Sequence, residues 1–263
     1  MAETGTLKIK NGELEFIKFG RGKAAFVILP GLSYDGFFTQ AEEIERAYGV
    51  FAEKYTVYLI DRNLKPKTGY SVKDIADDTA EAFKQLGIVK ADVLGVSLGG
   101  MVLQKLAISY PKLVKKIVLG STLSRPNETF LNGLTRWESL AKNNDICALT
   151  SEFNATIYSP DTLKKYAAEF SAMKLVASEE KTARFIAYVN AAKHFDEFIS
   201  LKKIKAETFV IGALNDKITT ASAAQETAKA LNCGYYEYKD FGHAVFDEAP
   251  DYKERVYNFL AEK

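Results

Sequence analysis

The pentapeptide GVSLG contains Ser97, the residue of this sequence best placed to act as a nucleophile. Ala91–Val96 is an apolar run typical of a buried strand, and Leu98–Tyr110 continues with helical periodicity. So tight a turn from strand to helix strains the serine backbone and pushes its hydroxyl outward, which requires Gly95 and Gly99 to be small. Such a hydroxyl can attack a carbonyl carbon when a neighbouring base accepts its proton.

The pentapeptide alone is weak support for this chemistry. At ordinary glycine and serine frequencies, roughly one chain in ten of this length contains G-x-S-x-G by chance. The alternative is a glycine-rich connection in an ordinary α/β protein. The choice between these two interpretations therefore depends on the strands and helices that would position the serine.

The first 120 residues alternate between strand and helix patterns. Asn11-Gly12 joins two alternating runs, which predicts an antiparallel hairpin with a two-residue turn. The alternation that follows predicts an α/β fold with a doubly wound, mainly parallel sheet. Buried strands are expected at Ala25–Leu29, Thr56–Ile60 and Lys116–Gly120, and helices at Thr39–Phe51 and Val72–Leu86.

The pattern changes in the second half of the chain. Apolar segments such as Leu163–Val176 and Thr182–Phe198 have helical spacing only, and a buried-strand pattern resumes at Ala206. Helices inserted after the sixth strand would lie above the carboxyl ends of the sheet, where open α/β sheets bind ligands. We therefore predict a core in two parts, residues 1–122 and 201–263, separated by an all-helical insertion at residues 123–200.

The composition argues against several classes of protein. The chain has 263 residues and a net charge of +1, so no bulk charge attracts nucleic acid or an anionic membrane. A signal-peptide pattern and a long apolar run are absent from the sequence, and we expect a cytoplasmic protein. Cys147 and Cys233 are expected to be buried thiols, and the two histidines lack the neighbouring ligands of a metal site. We expect neither a metal nor a cofactor.

Three segments carry a resemblance to a known family. GVSLGGMVLQKLAISYPKLVKKIVLGST, FDEFISLKKIKAETFVIGALND and FGHAVFDEAPDYKERVYNFL resemble, in order, the elbow with its helix and next strand, the strand that delivers an acid, and a histidine loop. The chain resembles the α/β-hydrolase superfamily, in its capped esterase and lactonase-like branch, over essentially its whole length. The helical insertion then corresponds to that branch's cap.

The resemblance implies a catalytic triad of Ser97, Asp216 and His243, in the family's order of serine, acid and histidine. Imidazole can accept the serine proton and return it to the leaving group, which assigns the base to His243. A carboxylate must hold the imidazole in one tautomer, and Asp216 follows a buried strand where it could do so. By itself, Asp216 would be interpreted as a turn or helix-capping residue.

Other residues of the sequence could take the same roles. His194 lies in a predicted helix beside Asp196, where packing in the cap or lining a pocket is the expected role. Asp240 and Asp247 flank His243 in its own loop and are weaker alternatives to Asp216 as the acid.

The resemblance also implies an oxyanion hole made of the backbone N–H groups of Leu32 and Leu98. Where many relatives have His-Gly before the first donor, this chain has Pro30-Gly31, which leaves open how the loop is held. Asp61-Arg62 resembles a charged turn of the family, and we interpret it as structural.

These observations favour a serine hydrolase that cleaves a carboxylic ester, lactone or related small-molecule acyl substrate through an acyl-enzyme. The alternatives are an acyltransferase, a perhydrolase or a carbon–carbon hydrolase with the same triad, or a non-catalytic receptor for a small ligand. The aromatic side chains of the insertion suggest an apolar pocket, although most of them are expected to pack in its core. They are Phe130, Trp137, Phe153, Tyr158, Tyr166, Phe170, Phe185, Tyr188, Phe195 and Phe198.

Overall fold

The computed structural model describes residues 1–172 and 175–262, within which one eight-stranded sheet forms. Its strands are β1 (Glu3–Ile9), β2 (Gly12–Gly20), β3 (Ala24–Leu29), β4 (Tyr55–Asn63), β5 (Ala91–Val96), β6 (Val114–Gly120), β7 (Glu207–Ala213) and β8 (Gly234–Tyr238). They lie side by side in the order β1-β2-β4-β3-β5-β6-β7-β8. β1 pairs antiparallel with β2, as β2 does with β4, and every other neighbouring pair is parallel.

Helices cover both faces of the sheet. The α-helices are α1 (Ala41–Ala47), α2 (Val72–Gln85), α3 (Leu98–Ser109), α4 (Glu128–Lys142), α5 (Ile146–Ile157), α6 (Pro160–Lys165), α7 (Ala167–Ala172), α8 (Glu179–Lys193), α9 (Ala221–Leu231), α10 (Val245–Glu248) and α11 (Tyr252–Ala261). In β3, Val27 packs in one apolar cluster with α2 and α3, whereas Phe26 packs in another with α1 and α11. Successive strand residues point to opposite faces, so both faces are buried. The predicted α/β fold with a doubly wound, mainly parallel sheet is confirmed.

The predicted hairpin forms, but its turn lies one residue earlier than the sequence suggested. Ile9 pairs with Gly12, so Lys10 and Asn11 are the two turn residues. A Cβ on Gly12 would lie 2.5 Å from Oδ1 of Asn63. Gly12 also has φ 151°, a conformation that other residues rarely adopt, so both the hairpin backbone and the close approach of β2 to β4 favour glycine here.

Helices fill the segment between β6 and β7. Its described residues contain α4–α8 and no strand. The predicted helical segment Leu163–Val176 lies partly outside the described residues, and its described part includes the end of α6 and all of α7. In the other predicted segment, Thr182–Phe198, α8 starts three residues earlier and ends at Lys193.

Two expectations drawn from composition meet the structure here. Burial of the cysteines is wrong for Cys147, which is exposed, while Cys233 is partly buried and both are free thiols. Cys147 follows Ile146 on α5, and that helix turns Ile146 and Leu149 inward, so Cys147 faces outward. Among the described residues, no helix combines the length and the apolar character needed to cross a membrane.

A buried carboxyl group lies at the junction of α2 and the hairpin. Asp78 is 3% exposed, and its Oδ1 accepts a hydrogen bond from Nδ2 of Asn11 at 3.4 Å. Its Oδ2 is buried and has no hydrogen-bond partner among the described residues. Burial raises the pKa of Asp78 to about 6, although hydrogen bonds from Asn11 and Asn63 oppose the increase. The charged form is therefore disfavoured in the folded protein.

Asp78→Asn is expected to stabilise the protein at pH 8 and to have little effect at pH 4. The folded protein binds the Asp78 proton more tightly than the unfolded chain does, so the stability linked to this proton is lost as the pH rises through about 6. Asparagine keeps the shape and removes the charge. Melting temperatures of both proteins from pH 4 to pH 8 measure the effect, and a difference that does not change with pH contradicts this account.

Candidate active site

The turn that carries Ser97 is a strained connection between β5 and α3. Ser97 has φ 53° and ψ −119°, a conformation that side chains rarely adopt. A Cβ on Gly99 would lie 1.9 Å from the carbonyl oxygen of Leu29, and one on Gly95 would lie 2.6 Å from the carbonyl oxygen of Gly99. Both positions therefore require glycine, as the motif predicted. The Ser97 N–H donates to the carbonyl of Gly120 at 2.9 Å, which ties the turn to β6.

Asp216 lies in the turn after β7 and is held by several donors. Its Oδ1 accepts hydrogen bonds from the N–H groups of Ile218 and Thr219 at 2.8 and 2.9 Å. Its Oδ2 accepts from the Thr219 hydroxyl at 2.6 Å and from Nδ1 of His243 at 2.9 Å. These contacts leave the carboxylate one orientation, directed at the imidazole.

The pKa of Asp216 is held below its usual value. Burial by itself would raise it, but the charge of His243 and the hydrogen bonds from His243, Thr219 and the Ile218 backbone outweigh burial. The carboxyl group therefore stays ionised beside the imidazole.

His243 connects the carboxylate to the serine. It lies between β8 and α10 and is 4% exposed. Its Nδ1 donates to Asp216, which leaves Nε2 to accept a hydrogen bond from the Ser97 hydroxyl at 3.0 Å. The structure thus brings the three predicted residues into one hydrogen-bonded chain, although 146 residues separate Ser97 from His243.

The histidine loop is anchored to the insertion. Oε1 of Glu248 accepts from the Ser159 N–H at 2.9 Å and the Ser159 hydroxyl at 2.6 Å, and its Oε2 accepts from the Gly242 N–H at 3.3 Å. The N–H of Ala244 donates to the carbonyl of Ile157 at 2.8 Å. The position of the imidazole therefore depends on the end of α5 and the start of α6.

The rival residues occupy other places. His194 is exposed at the end of α8, and its Nδ1 lies 2.7 Å from the carbonyl oxygen of Asn190. Asp240 is exposed. Asp247 lines the cavity beside Ser97, while the acid bonded to His243 is Asp216.

Two backbone N–H groups are available near Ser97. Leu98 is the first residue of α3, so its N–H has no partner within the helix, and Ser97 provides no side-chain cap. Leu32 lies in the loop after β3, and its N–H donates to no other described residue. This loop approaches the serine closely, because a Cβ on Gly31 would lie 3.3 Å from the Ser97 Cβ.

Arg62 holds that loop in place. Its Nη1 donates to the carbonyls of Pro30 at 2.9 Å and Gly31 at 2.6 Å, and the side chain is 7% exposed. Nη2 of Arg62 lies 3.1 Å from the Asp61 carboxylate. The sequence indicated a structural role for Asp61-Arg62 but did not indicate that Arg62 binds the Pro30-Gly31 loop. The available signal was a charged pair that directly continues a buried strand, where a side chain reaches the neighbouring loop.

A cavity of about 340 Å³ opens beside the serine. Its wall includes Ser97, His243, Gly31 and Leu32. Of the ten aromatic residues noted in the insertion, four line the cavity, so most of them pack elsewhere, as predicted. The insertion contributes Trp137, Leu149, Thr150, Phe153, Asn154, Ile157, Tyr158, Leu175 and Phe185, and the core also contributes Ile28, Pro30, Ser33, Tyr34, Asp35, Phe37, Gln40, Ile44, Tyr48, Leu59, Val96, Phe246 and Asp247, of which Asp35 is paired with Lys181.

Comparison with known proteins agrees with this geometry. A family model described as the alpha/beta hydrolase fold matches residues 25–250, most of the chain. The chain belongs to the α/β-hydrolase family. The predicted resemblance to this superfamily is therefore confirmed.

Several individual proteins are also similar to this chain. It is 28% identical over 183 residues to pyrrolizixenacetamide deacetylase of Xenorhabdus hominickii, covering 68% of each chain. It is 26% identical over 199 residues to a putative carbamate hydrolase, RutD, of Caulobacter segnis, covering 74% of each. Its fold is similar to that of an enol-lactonase from Burkholderia xenovorans, with a TM-score of 0.85, 19% identity, and coverage of 98% of this chain and 100% of that one.

Arg62→Lys is expected to slow the reaction of the Ser97 hydroxyl with a fluorophosphonate by roughly tenfold or more, because small displacements of reacting groups are costly. Lysine keeps the positive charge beside Asp61 but lacks the planar fork of donors that reaches both loop carbonyls. Labelling rates measured by intact-protein mass spectrometry test this. Arg125→Lys, at an exposed arginine paired with Glu226, is the matched control and should leave the rate unchanged. Equal rates for all three proteins contradict the assigned role of Arg62.

Proposed function

We propose that this α/β hydrolase is a serine hydrolase that cleaves a carboxylic ester, lactone or related small acyl compound. The observation that carries the proposal is the hydrogen-bonded chain from Ser97 through His243 to Asp216 at the wall of a largely apolar cavity. Packing alone does not require a buried, ionised carboxylate, a histidine and a strained serine to lie in one line, whereas nucleophilic catalysis does.

The geometry supports a two-step reaction. Oγ of Ser97 attacks the substrate carbonyl carbon as its proton passes to Nε2 of His243, and Asp216 stabilises the imidazolium that forms. The carbonyl oxygen, now negatively charged, accepts hydrogen bonds from the N–H groups of Leu32 and Leu98. The carbon–oxygen bond of the ester then breaks, and the leaving alkoxide takes the proton from His243. Water, activated by His243, hydrolyses the acyl-enzyme by the same steps.

Helices α4–α8 act in this proposal as a cap that selects the substrate. We assign the cap to residues 123–200 and the catalytic core to residues 1–122 and 201–263. The cap supplies much of the cavity wall, whereas Ser97, Asp216 and His243 lie outside it. A cavity of about 340 Å³ suits a small acyl compound.

The relatives support acyl chemistry without selecting one bond. One is named a deacetylase and another a putative carbamate hydrolase, and both names describe cleavage at a carbonyl carbon. Acyl transfer, peracid formation and carbon–carbon hydrolysis use the same triad and remain alternatives. A receptor that only binds a ligand has no need of an ordered triad.

Ser97→Ala is expected to remove ester turnover while leaving the melting temperature nearly unchanged, because no other described nucleophile is hydrogen-bonded to His243 through Nε2. The measurement uses p-nitrophenyl esters of increasing acyl length. Asp216→Asn and His243→Ala should also lose turnover, with non-additive effects because the triad acts as a unit. Near-normal turnover by the alanine variant, free of contaminating esterase, would exclude Ser97 as the nucleophile. Ligand binding without turnover by the unmodified protein would favour the receptor.

A pair of Leu32 variants separates the proposed oxyanion donor from the side chain. Leu32→Ala keeps the N–H and should change mainly the substrate preference, whereas Leu32→Pro removes the donor and should lower turnover by roughly 100- to 1000-fold. Circular dichroism and melting temperature check that both variants fold, since proline also restricts Gly31. If a folded Leu32→Pro protein is as active as Leu32→Ala, the donor lies elsewhere in the loop.

A further inference from the structure

Asp247 is a carboxylate on the cavity wall that the proposed reaction does not use. It lies in α10, four residues after His243, and lines the same cavity as Ser97. The residue is exposed to solvent, yet protein atoms surround it closely enough to raise the pKa of its carboxyl group to about 6. A carboxyl group on the wall of a cavity can be both exposed to solvent and closely surrounded by protein atoms, as Asp247 is.

The carboxylate has no hydrogen bond or ion pair with any residue in 1–172 or 175–262. The charged groups close enough to affect it are Lys253, which lowers its pKa, and Glu248, which raises it. Both are engaged elsewhere. Lys253 donates to the carbonyl of Phe246, and Glu248 accepts from Ser159 and Gly242.

Aromatic side chains also lie close enough to Asp247 to be affected by its charge. Burial, and then the negative charge of Asp247, raise the pKa of Tyr48 and of Tyr158, so both phenols stay neutral. Tyr48 and Tyr158 line the cavity with Asp247. A carboxylate beside aromatic rings attracts organic cations, because the ring faces and the charge act in the same direction.

An unpaired carboxylate in such surroundings costs free energy, and a bound cation would offset that cost. We propose that Asp247 is a substrate-binding residue, and that the preferred substrates are acyl compounds that carry a protonated amine. The proposal rests on the hydrolase function proposed above and names its substrate class. Asp247 binds the ammonium group while the apolar wall holds the rest of the substrate.

Two matched pairs of esters test this substrate preference, one with the charge in the alcohol and one with the charge in the acyl group. 2-(Dimethylamino)ethyl butyrate is compared with 3-methylbutyl butyrate, and ethyl 4-(dimethylamino)butanoate with ethyl 5-methylhexanoate. Each pair differs by a protonated nitrogen in place of a CH group. The paired esters differ in intrinsic reactivity, so kcat/KM of the cationic ester is divided by kcat/KM of the neutral ester in each protein. This ratio is then compared between proteins.

Asp247→Asn removes the charge and keeps the shape, and Asp247→Ser provides a second neutral variant should the first fold poorly. Asp240→Asn is the matched control, because it removes a carboxylate from the same loop at an exposed position away from the cavity lining. For at least one pair at pH 8, the cationic-to-neutral ratio should be about ten- to a hundredfold higher in the unmodified protein and the control than in the Asp247 variants. The neutral esters should react at similar rates in all of them.

The same ratio provides a pH test in which any pH dependence shared by the two esters of a pair cancels. The tertiary amine stays protonated from pH 5 to pH 8, whereas Asp247 gains a proton as the pH falls through about 6. The preference for the cationic ester should therefore decline toward pH 5 in the unmodified protein and stay flat in the Asp247 variants.

Four outcomes overturn the proposal. Ratios unaffected by Asp247→Asn in both pairs would mean that the carboxylate contacts no substrate cation. An equal loss for cationic and neutral esters would mean that Asp247 acts on the histidine loop. If the unmodified protein hydrolyses neither p-nitrophenyl butyrate nor any of the four esters, the hydrolase function is overturned, and this proposal with it. If it hydrolyses the neutral esters but shows no preference for charge, this proposal alone is overturned.

Discussion

The strained backbone at Ser97 is the constraint on which the rest of the site depends. Ser97 has φ 53° because β5 and α3 meet in a turn so tight that Gly95 and Gly99 leave no room for a Cβ. Neighbouring strands hold the turn: the Ser97 N–H donates to the Gly120 carbonyl, and the Thr122 hydroxyl donates to the Ser97 carbonyl at 2.8 Å. The central parallel sheet thus stabilises a local conformation that the turn alone would not keep.

Two charged side chains, the buried Arg62 and the partly buried Glu248, extend this order to the loops around the serine. Arg62 binds the carbonyls of Pro30 and Gly31, and so holds this loop close to Ser97. Glu248 binds the histidine loop to the start of α6. Both are charged groups with nearly saturated hydrogen bonding, which is how a buried charge becomes a rigid support. Nε of Arg62, which is buried without a partner among the described residues, is the exception.

The cavity wall follows a different principle. Most of its side chains are apolar or aromatic, and in such surroundings the electrostatic effect of a single charge is strong. Two carboxylates illustrate this: Asp216, which lies behind His243, and Asp247, which lies on the wall itself. Hydrogen bonds and His243 lower the pKa of Asp216 despite its burial, whereas Asp247 lacks such donors and its pKa rises to about 6. One carboxylate is satisfied by the protein and the other is left for a ligand.

The sequence by itself determined the fold class and the residues able to do the chemistry. Apolar periodicity and glycine spacing are local signals, so the alternation of strands and helices and the GVSLG turn could be predicted, while the pairing of Ser97 with Asp216 and His243 came from resemblance. Local signals misplaced the hairpin turn by one residue, since it lies at Lys10-Asn11. They also failed to predict which face of α5 carries Cys147, which is exposed. Only the tertiary structure decided that Arg62 reaches the loop of Gly31 and that Asp247 faces the cavity, because these contacts join residues far apart in the chain or depend on how the elements pack around a shared space.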